Sequence, residues 1–239
     1  MRLDALITNK KIARSRNVAA DLIKNGKVMV NGEIITKPAK DFTDSENLII
    51  KILEQPKYVG RGGLKLEKAL VEFKIDPAGM VCLDVGSSTG GFTDCLLQKG
   101  AKKVYAVDVG TDQLVETLRN DKRVISLEQT DIRAVKTLPD KIDLAVIDVS
   151  FISLELVLES VKYLLKTAGQ IVALVKPQFE TIKTDKNKTG VVKNEELREK
   201  ALEKIKAYCQ KNNLPVLGTI TSPILGGSGN KEYLLLLRK

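Results

Sequence analysis

The chain has 239 residues, of which 43% are hydrophobic and 29% charged, with a formal net charge of +9. This is an ordinary composition for folded protein, and the length allows a sizeable core in one or two domains. There is no histidine, and the three cysteines (Cys82, Cys95, Cys209) stand far apart. A Ser-His-Asp or Cys-His hydrolase is therefore excluded, and neither a metal site nor a disulfide framework is expected.

The charge is unevenly spread. Residues 1–40 carry nine Lys/Arg against three acids, an excess of six and most of the total. Lys10, Lys11, Arg14, Arg16, Lys24 and Lys27 belong to this set. Such a cluster attracts a polyanion, either nucleic acid or an anionic membrane. Met1 is followed by mixed polar sequence rather than an apolar leader, and no run approaches the ~18 apolar residues of a membrane span. A cytoplasmic protein with free, buried thiols is expected.

Residues 1–54 read as a small α+β module. In RLDALITN and SRNVAADLIKNGKV the apolar residues recur at helical spacing (Leu3, Leu6, Ile7; Val18, Leu22, Ile23). Ser15 is placed to cap the second helix and Gly26 to end it. KVMVNGEII alternates around Asn31-Gly32, the signature of a two-residue hairpin. NLIIKIL is a further strand. Residues 55–63, QPKYVGRGG, carry Pro and Gly and read as a linker whose glycines flex. Residues 64–73 return to helical spacing and open the second domain, 64–239.

From Val81 strands and helices alternate. VCLDV, KVYAVDV, VISLEQ, DLAVIDVSF, QIVALVK, PVLGTI and EYLLLL read as strands. TDCLLQKG, DQLVETLRN, LELVLESVKYLL and NEELREKALEKIKAYCQKN read as helices. The expected fold is α/β: a mostly parallel, seven-stranded sheet covered on both faces. The polar, basic stretch 181–194 is long for a plain connection and reads as a segment that orders on RNA.

The loop after the first of these strands carries the first chemical signal. Gly86, Gly90 and Gly91 are spaced G-x-x-x-G-G, which matches neither the dinucleotide fingerprint nor the triphosphate loop. Asp84 ends the strand beside that loop. Asp108 ends the next strand, where an acid takes ribose hydroxyls. Asp131 follows the third. Carboxylates in these places suit a cationic nucleoside without a diphosphate, and S-adenosylmethionine is one.

Residues 81–92, VCLDVGSSTGGF, resemble the first motif of class I, Rossmann-like methyltransferases. The glycine spacing with the trailing Phe92 is similar to the FtsJ-type ribose methyltransferases. The resemblance implies that Asp84, Gly86, Ser87, Thr89, Gly90, Gly91, Phe92, Asp108, Asp131 and Asp148 line the S-adenosylmethionine site. The fourth strand ends Asp148-Val149-Ser150-Phe151, without the proline pair of amino methyltransferases and without a nucleophilic Cys for cytosine carbon. Oxygen methylation remains. A ribose 2′-hydroxyl is a poor nucleophile at neutral pH. A lysine of lowered pKa near carboxylates can orient it and take its proton.

Nearly the whole chain resembles the TlyA family, an S4 RNA-binding domain fused to an FtsJ-like methyltransferase. SRNVAADLIKNGKVMVNG is similar to an S4 module. RGGLKLEKAL, VIDVSFISL, ALVKPQFE and GNKEYLLLL carry the family's Lys-Asp-Lys-Glu tetrad, here Lys65, Asp148, Lys176 and Glu232. The resemblance implies Lys176 as the residue nearest the 2′-hydroxyl and its base, Asp148 as its holder, and Lys65 with Glu232 as the rest of the substrate pocket. Arg61 joins the candidate RNA contacts. The implied substrate is cytidine ribose in ribosomal RNA, on the 30S subunit, the 50S subunit or both. Two other readings stay open. One is a non-catalytic RNA-binding or ribosome assembly factor that keeps the cofactor fold. The other is a membrane-active haemolysin, a label that relatives often carry, but no amphipathic or spanning segment for it is evident.

Overall fold

The computed structural model describes residues 1–45, 47–182, 187 and 189–239. Residues 183–186 and 188, within the stretch expected to order on RNA, lie outside the described residues. The chain divides into two compact units, Met1–Lys57 and Tyr58–Lys239.

The first unit opens with α1 (Leu3–Asn9) and α2 (Arg16–Lys24). Ser15 caps α2, its hydroxyl accepting the Val18 N–H at 3.3 Å. Gly26, at φ +67°, turns the chain out of the helix. Strands β1 (Val28–Val30) and β2 (Glu33–Ile34) then form a hairpin. Asn31 and Gly32 sit at its tip at φ +49° and +87°, the left-handed pair that a tight turn of this hand requires. β3 (Ile50–Ile52) pairs on the other side of β1, giving the order β2-β1-β3. One face of each helix (Leu3 and Ile7; Ala19, Leu22 and Ile23) buries against Val28, Val30 and Ile35. A unit this small leaves little margin, so a single Leu22→Ala change at ~2–5 kcal/mol would unfold much of it.

The second unit is an α/β sheet sandwich. Its sheet holds β4 (Val81–Val85), β5 (Lys103–Val107), β6 (Val124–Leu127), β7 (Ile142–Ile147), β8 (Leu165–Val175), β9 (Val216–Thr221) and β10 (Tyr233–Arg238). Their order is β6-β5-β4-β7-β8-β10-β9, parallel up to β8, with β10 antiparallel to both neighbours. This is the expected seven-stranded, mostly parallel sheet. Each central strand feeds two cores. Leu83 and Val85 enter one while Cys82 enters the other, and Leu235 and Leu237 oppose Leu234 and Leu236 in the same way. Both faces are covered by helices: α3 (Gly62–Glu72), α4 (Gly91–Gln98), α6 (Glu155–Leu164) and α8 (Glu195–Lys211).

Two expectations come out differently, and one short helix is added. The helix read in DQLVETLRN shrinks to α5 (Glu116–Arg119). The Glu128 carboxylate takes the backbone N–H groups of Asp112, Gln113 and Leu114, which holds that stretch as a loop. A short α7 (Pro177–Glu180) follows β8, with proline at the start where its missing N–H is harmless. The 55–63 stretch is not one linker, because residues from Tyr58 onward pack into the second unit. Its glycines serve contact rather than flexing. A Cβ on Gly63 would overlap the Tyr58 ring, and one on Gly91 would lie 2.9 Å from the Gly60 carbonyl oxygen. Among the described residues, no helix is long and apolar enough to cross a membrane.

Candidate active site

Parallel strands in register end together, so the residues after β4, β5, β7 and β8 share one edge of the sheet. Val85 pairs with Val107 and Ile147, and Ile147 with Ala173. Antiparallel β10 begins at that edge, where Tyr233 pairs with Val175. Asp148, Lys176 and Glu232 thus gather from three strands, though they are far apart in sequence.

The glycine loop lies at the same edge. Gly86 has φ +81°, and a Cβ there would stand 2.6 Å from the Asp148 carbonyl oxygen, so the loop passes the β7 end as only glycine can. Gly90, at φ +97°, precedes α4, and a Cβ there would overlap Leu118. The Asp108 carboxylate accepts the N–H groups of Ser88 and Gly110, each at 2.8 Å, and so ties the loop to the end of β5. Gly60, Arg61, Gly62, Lys65, Gly86, Ser87, Ser88, Thr89, Gly91, Phe92 and Asp148 line a cleft of about 210 Å³.

Two lysine–carboxylate pairs stand beside this cleft. Lys65 Nζ lies 2.7 Å from Glu232 Oε2, with both side chains buried. Lys176 Nζ lies 2.6 Å from Asp148 Oδ1 and donates to the Ser150 hydroxyl at 2.8 Å. Gln178 supports the first pair, its Nε2 donating to Glu232 Oε1 at 3.2 Å. A Cβ on Gly226 would overlap that same Glu232 oxygen, so the loop before β10 is moulded to the carboxylate. A buried charge is costly unless it is paired or hydrogen-bonded.

Two of the expected cofactor acids face elsewhere. Asp84 is fully buried, accepts the Thr93 hydroxyl at 2.7 Å, and is not among the cleft residues. Burial pushes its carboxyl up to about 7, against the Thr93 hydrogen bond and with help from the Asp148 charge. Its Oδ1 has no hydrogen-bond partner among the described residues. Asp131 caps the turn Ile132–Ala134 and pairs with Arg133 at 2.6 Å, which holds its carboxyl below the usual range.

The expected RNA contacts are scattered by their partners. Lys10 pairs with Asp44, Arg16 with Asp4 and Lys27 with Glu54. Lys11 and Lys24 are exposed and make no ion pair among the described residues. Arg14 is also exposed. Arg61 sits in the cleft wall and donates to the Leu225 carbonyl at 3.3 Å. Residues that sequence reasoning missed are Gly60, Gly62, Ser88, Ser150, Gln178 and Glu128. The signal for the first two is the density of glycine in VGRGG, which marks close backbone packing as well as a possible bend.

The glycine cradle, the carboxylates at its rim and the buried Asp84 beneath it fit a cationic nucleoside cofactor. Residues 58–239 match the FtsJ-like methyltransferase family and residues 1–47 the S4 domain. The chain is 43% identical to Hemolysin A of Brachyspira hyodysenteriae, over 98% of each chain. It is 42% identical to the 16S/23S rRNA (cytidine-2′-O)-methyltransferase TlyA of Mycobacterium tuberculosis, over 99% of this chain and 89% of that one. A solved structure from Streptococcus thermophilus, described as a hemolysin, superposes with a TM-score of 0.80 at 43% identity, covering 100% of this chain and 88% of that one.

Proposed function

The chain belongs to the FtsJ-like methyltransferase family, in the TlyA group that carries an S4 domain in front, and on that premise we propose that it methylates a cytidine ribose 2′-hydroxyl of ribosomal RNA. S-adenosylmethionine, when bound, supplies an electrophilic methyl group on a sulfonium. The chain's own residues hold and aim the partners.

The observation that carries this reading is the meeting of the Lys65–Glu232 and Lys176–Asp148 pairs beside the glycine-loop cleft. Residues 86–92 cradle the cofactor through backbone that a side chain would block. Asp148 lines the cleft and would hold the cofactor's cationic end, and Asp108 would take its ribose hydroxyls. Asp84 acts from beneath, holding the start of α4 through Thr93 rather than touching the cofactor. Lys176, steadied by Asp148 and Ser150, would orient the 2′-hydroxyl, and it would take the hydroxyl proton as the neutral amine, having first given up its own proton to solvent. Lys65 and Glu232 shape the pocket around the target ribose. Methyl transfer is an in-line displacement, so positioning supplies much of the rate.

The basic first unit docks on phosphate and shape, as structured RNA is usually read. Lys10, Lys11, Arg14, Arg16, Lys24 and Lys27 serve that contact, and Arg61 guides RNA at the cleft wall. The substrate is rRNA within the 30S subunit, the 50S subunit or both, which sets the work in the cytoplasm.

The test is transfer from labelled S-adenosylmethionine to purified 30S and 50S subunits, wild type beside Lys176→Ala, with the product nucleoside identified after digestion. A 2′-O-methylcytidine that disappears in the variant is expected. No label on either subunit, with RNA still bound, would overturn the enzymatic reading in favour of an assembly factor.

A further inference from the structure

We infer that Glu180 is a positioning residue that locks the Asp148 segment to the Lys176 segment; the inference rests on the proposed reaction. Asp148 stands at the head of an irregular stretch that runs to the start of α6, and Lys176 at the head of α7. Glu180 ends α7. Its Oε1 accepts the Leu154 N–H at 2.9 Å, and its Oε2 accepts the Ser153 hydroxyl at 2.5 Å. The same hydroxyl accepts the Glu155 N–H at 3.3 Å, so one carboxylate sets both the hydroxyl and the first turn of α6.

The carboxylate is deeply placed, with only 1% of its side chain exposed, and its nearest cation, Lys204, is 4.0 Å away. An acid kept there with so distant a counter-charge works through its hydrogen bonds. Those bonds close a ladder between the two segments. Its other rungs are Lys176 to Asp148, Lys176 to Ser150, and the Phe179 ring against Phe151 at 5.1 Å. Glu180 is the far rung. It never meets the cleft and acts on the reaction only through the spacing of Lys176 and Asp148.

The test uses the full-length chain with Glu180→Ala, Glu180→Gln and the milder Ser153→Ala, which keeps the carboxylate should Glu180→Ala fail to fold. Hydrogen exchange at the Leu154 amide reads the lock without any activity. Protection is expected in wild type, to be lost in Glu180→Ala and largely kept in Glu180→Gln. Single-turnover methyl transfer at saturating S-adenosylmethionine and rRNA should fall roughly tenfold or more in Glu180→Ala. Glu180→Gln should recover most of it, with the cofactor Kd unchanged throughout. In a Lys176→Ala background, Glu180→Ala should cost little more. A Leu154 exchange rate unaffected by Glu180→Ala, or, if that variant does not fold, a Glu155 amide as protected in Ser153→Ala as in wild type, would overturn the lock. A rate that drops only in step with cofactor affinity or folded fraction would overturn the positioning role. If wild type transfers no methyl at all, the proposed reaction fails, and the exchange readout still decides whether the lock exists.

Discussion

Lys65 and Glu232 lie 167 residues apart in the chain and meet at 2.7 Å, each with less than a tenth of its side chain exposed. One arrives on α3 and the other at the start of β10, so the contact reports that both ends of the second unit have closed on the site. Removing one partner strands a buried charge, which costs ~3–5 kcal/mol. Glu232→Ala should therefore lower the urea midpoint markedly, whereas the matched apolar pair Lys65→Met with Glu232→Leu should regain most of that stability and no methyl transfer. If the apolar pair is as active as wild type, the contact is structural alone.

Ser150 offers a gentler probe of the other pair. Its hydroxyl accepts from Lys176 at 2.8 Å and leaves the ion pair with Asp148 intact. A single hydrogen bond contributes ~1 kcal/mol, so Ser150→Ala should slow kcat by roughly 5–10-fold, with the Kd for S-adenosylmethionine unchanged. A pre-steady-state rate equal to wild type would show that Asp148 alone aims the lysine.

Much of this site is legible in the sequence. The glycine spacing at residues 86, 90 and 91 predicts a cradle, because positive φ at Gly86 and Gly90 and the close approach of backbone to Gly86 and Gly91 favour glycine. Charge at the end of apolar runs marks the strand-terminal Asp148 and Lys176. Asp84 defeats the same logic because strand position does not tell which way a carboxylate turns; here it turns into the interior toward Thr93. The DQLVETLRN helix is cut short because its first N–H groups find Glu128, a partner more than ten residues away. The Gly-rich 60–63 stretch suggests flexibility since local sequence gives no account of the Tyr58 ring and Gly91 backbone that fill the space around it.

Gly86 tests the cradle directly. It has φ +81°, and a Cβ would stand 2.6 Å from the Asp148 carbonyl oxygen. Gly86→Ala must shift either the loop or the β7 end. Affinity for S-adenosylmethionine should drop at least tenfold by calorimetry while the far-ultraviolet dichroism stays unchanged. Gly79 is also at positive φ but has open space around it, so Gly79→Ala serves as the control for backbone strain alone. Equal effects of the two substitutions would remove the cradle argument.

The first unit should bind RNA mainly through charge. Lys11 and Lys24 are exposed and carry no ion pair among the described residues, so reversing them disturbs no internal contact. Lys11→Glu with Lys24→Glu should weaken rRNA binding and flatten the slope of log K against log salt, by roughly 0.7–0.9 for each phosphate that is no longer neutralised. Cofactor affinity should not change. An unaltered slope would place the RNA-binding surface elsewhere on the molecule.

Asp84 predicts how stability varies with pH. Burial raises its folded carboxyl from an ordinary 3.8 to about 7. The folded state thus favours the neutral acid. The stability tied to that preference is fully present below about 4 and is lost as pH rises through about 7. A difference of that size corresponds to about 4 kcal/mol at most. Asp84→Asn cannot ionise, so it should lack this loss, though its amide gains a donor with no evident partner. The gap in unfolding free energy, wild type minus Asp84→Asn, should therefore shrink steadily from pH 5 to pH 8. Taking the difference cancels the groups that titrate independently of Asp84, while the Asp148 and Asp108 charges that press on it remain part of the measured effect. Urea titrations of both proteins across that range decide it. A gap that stays constant with pH would mean that Asp84 is already charged in the folded protein, and its unpartnered Oδ1 would then need a donor supplied from elsewhere.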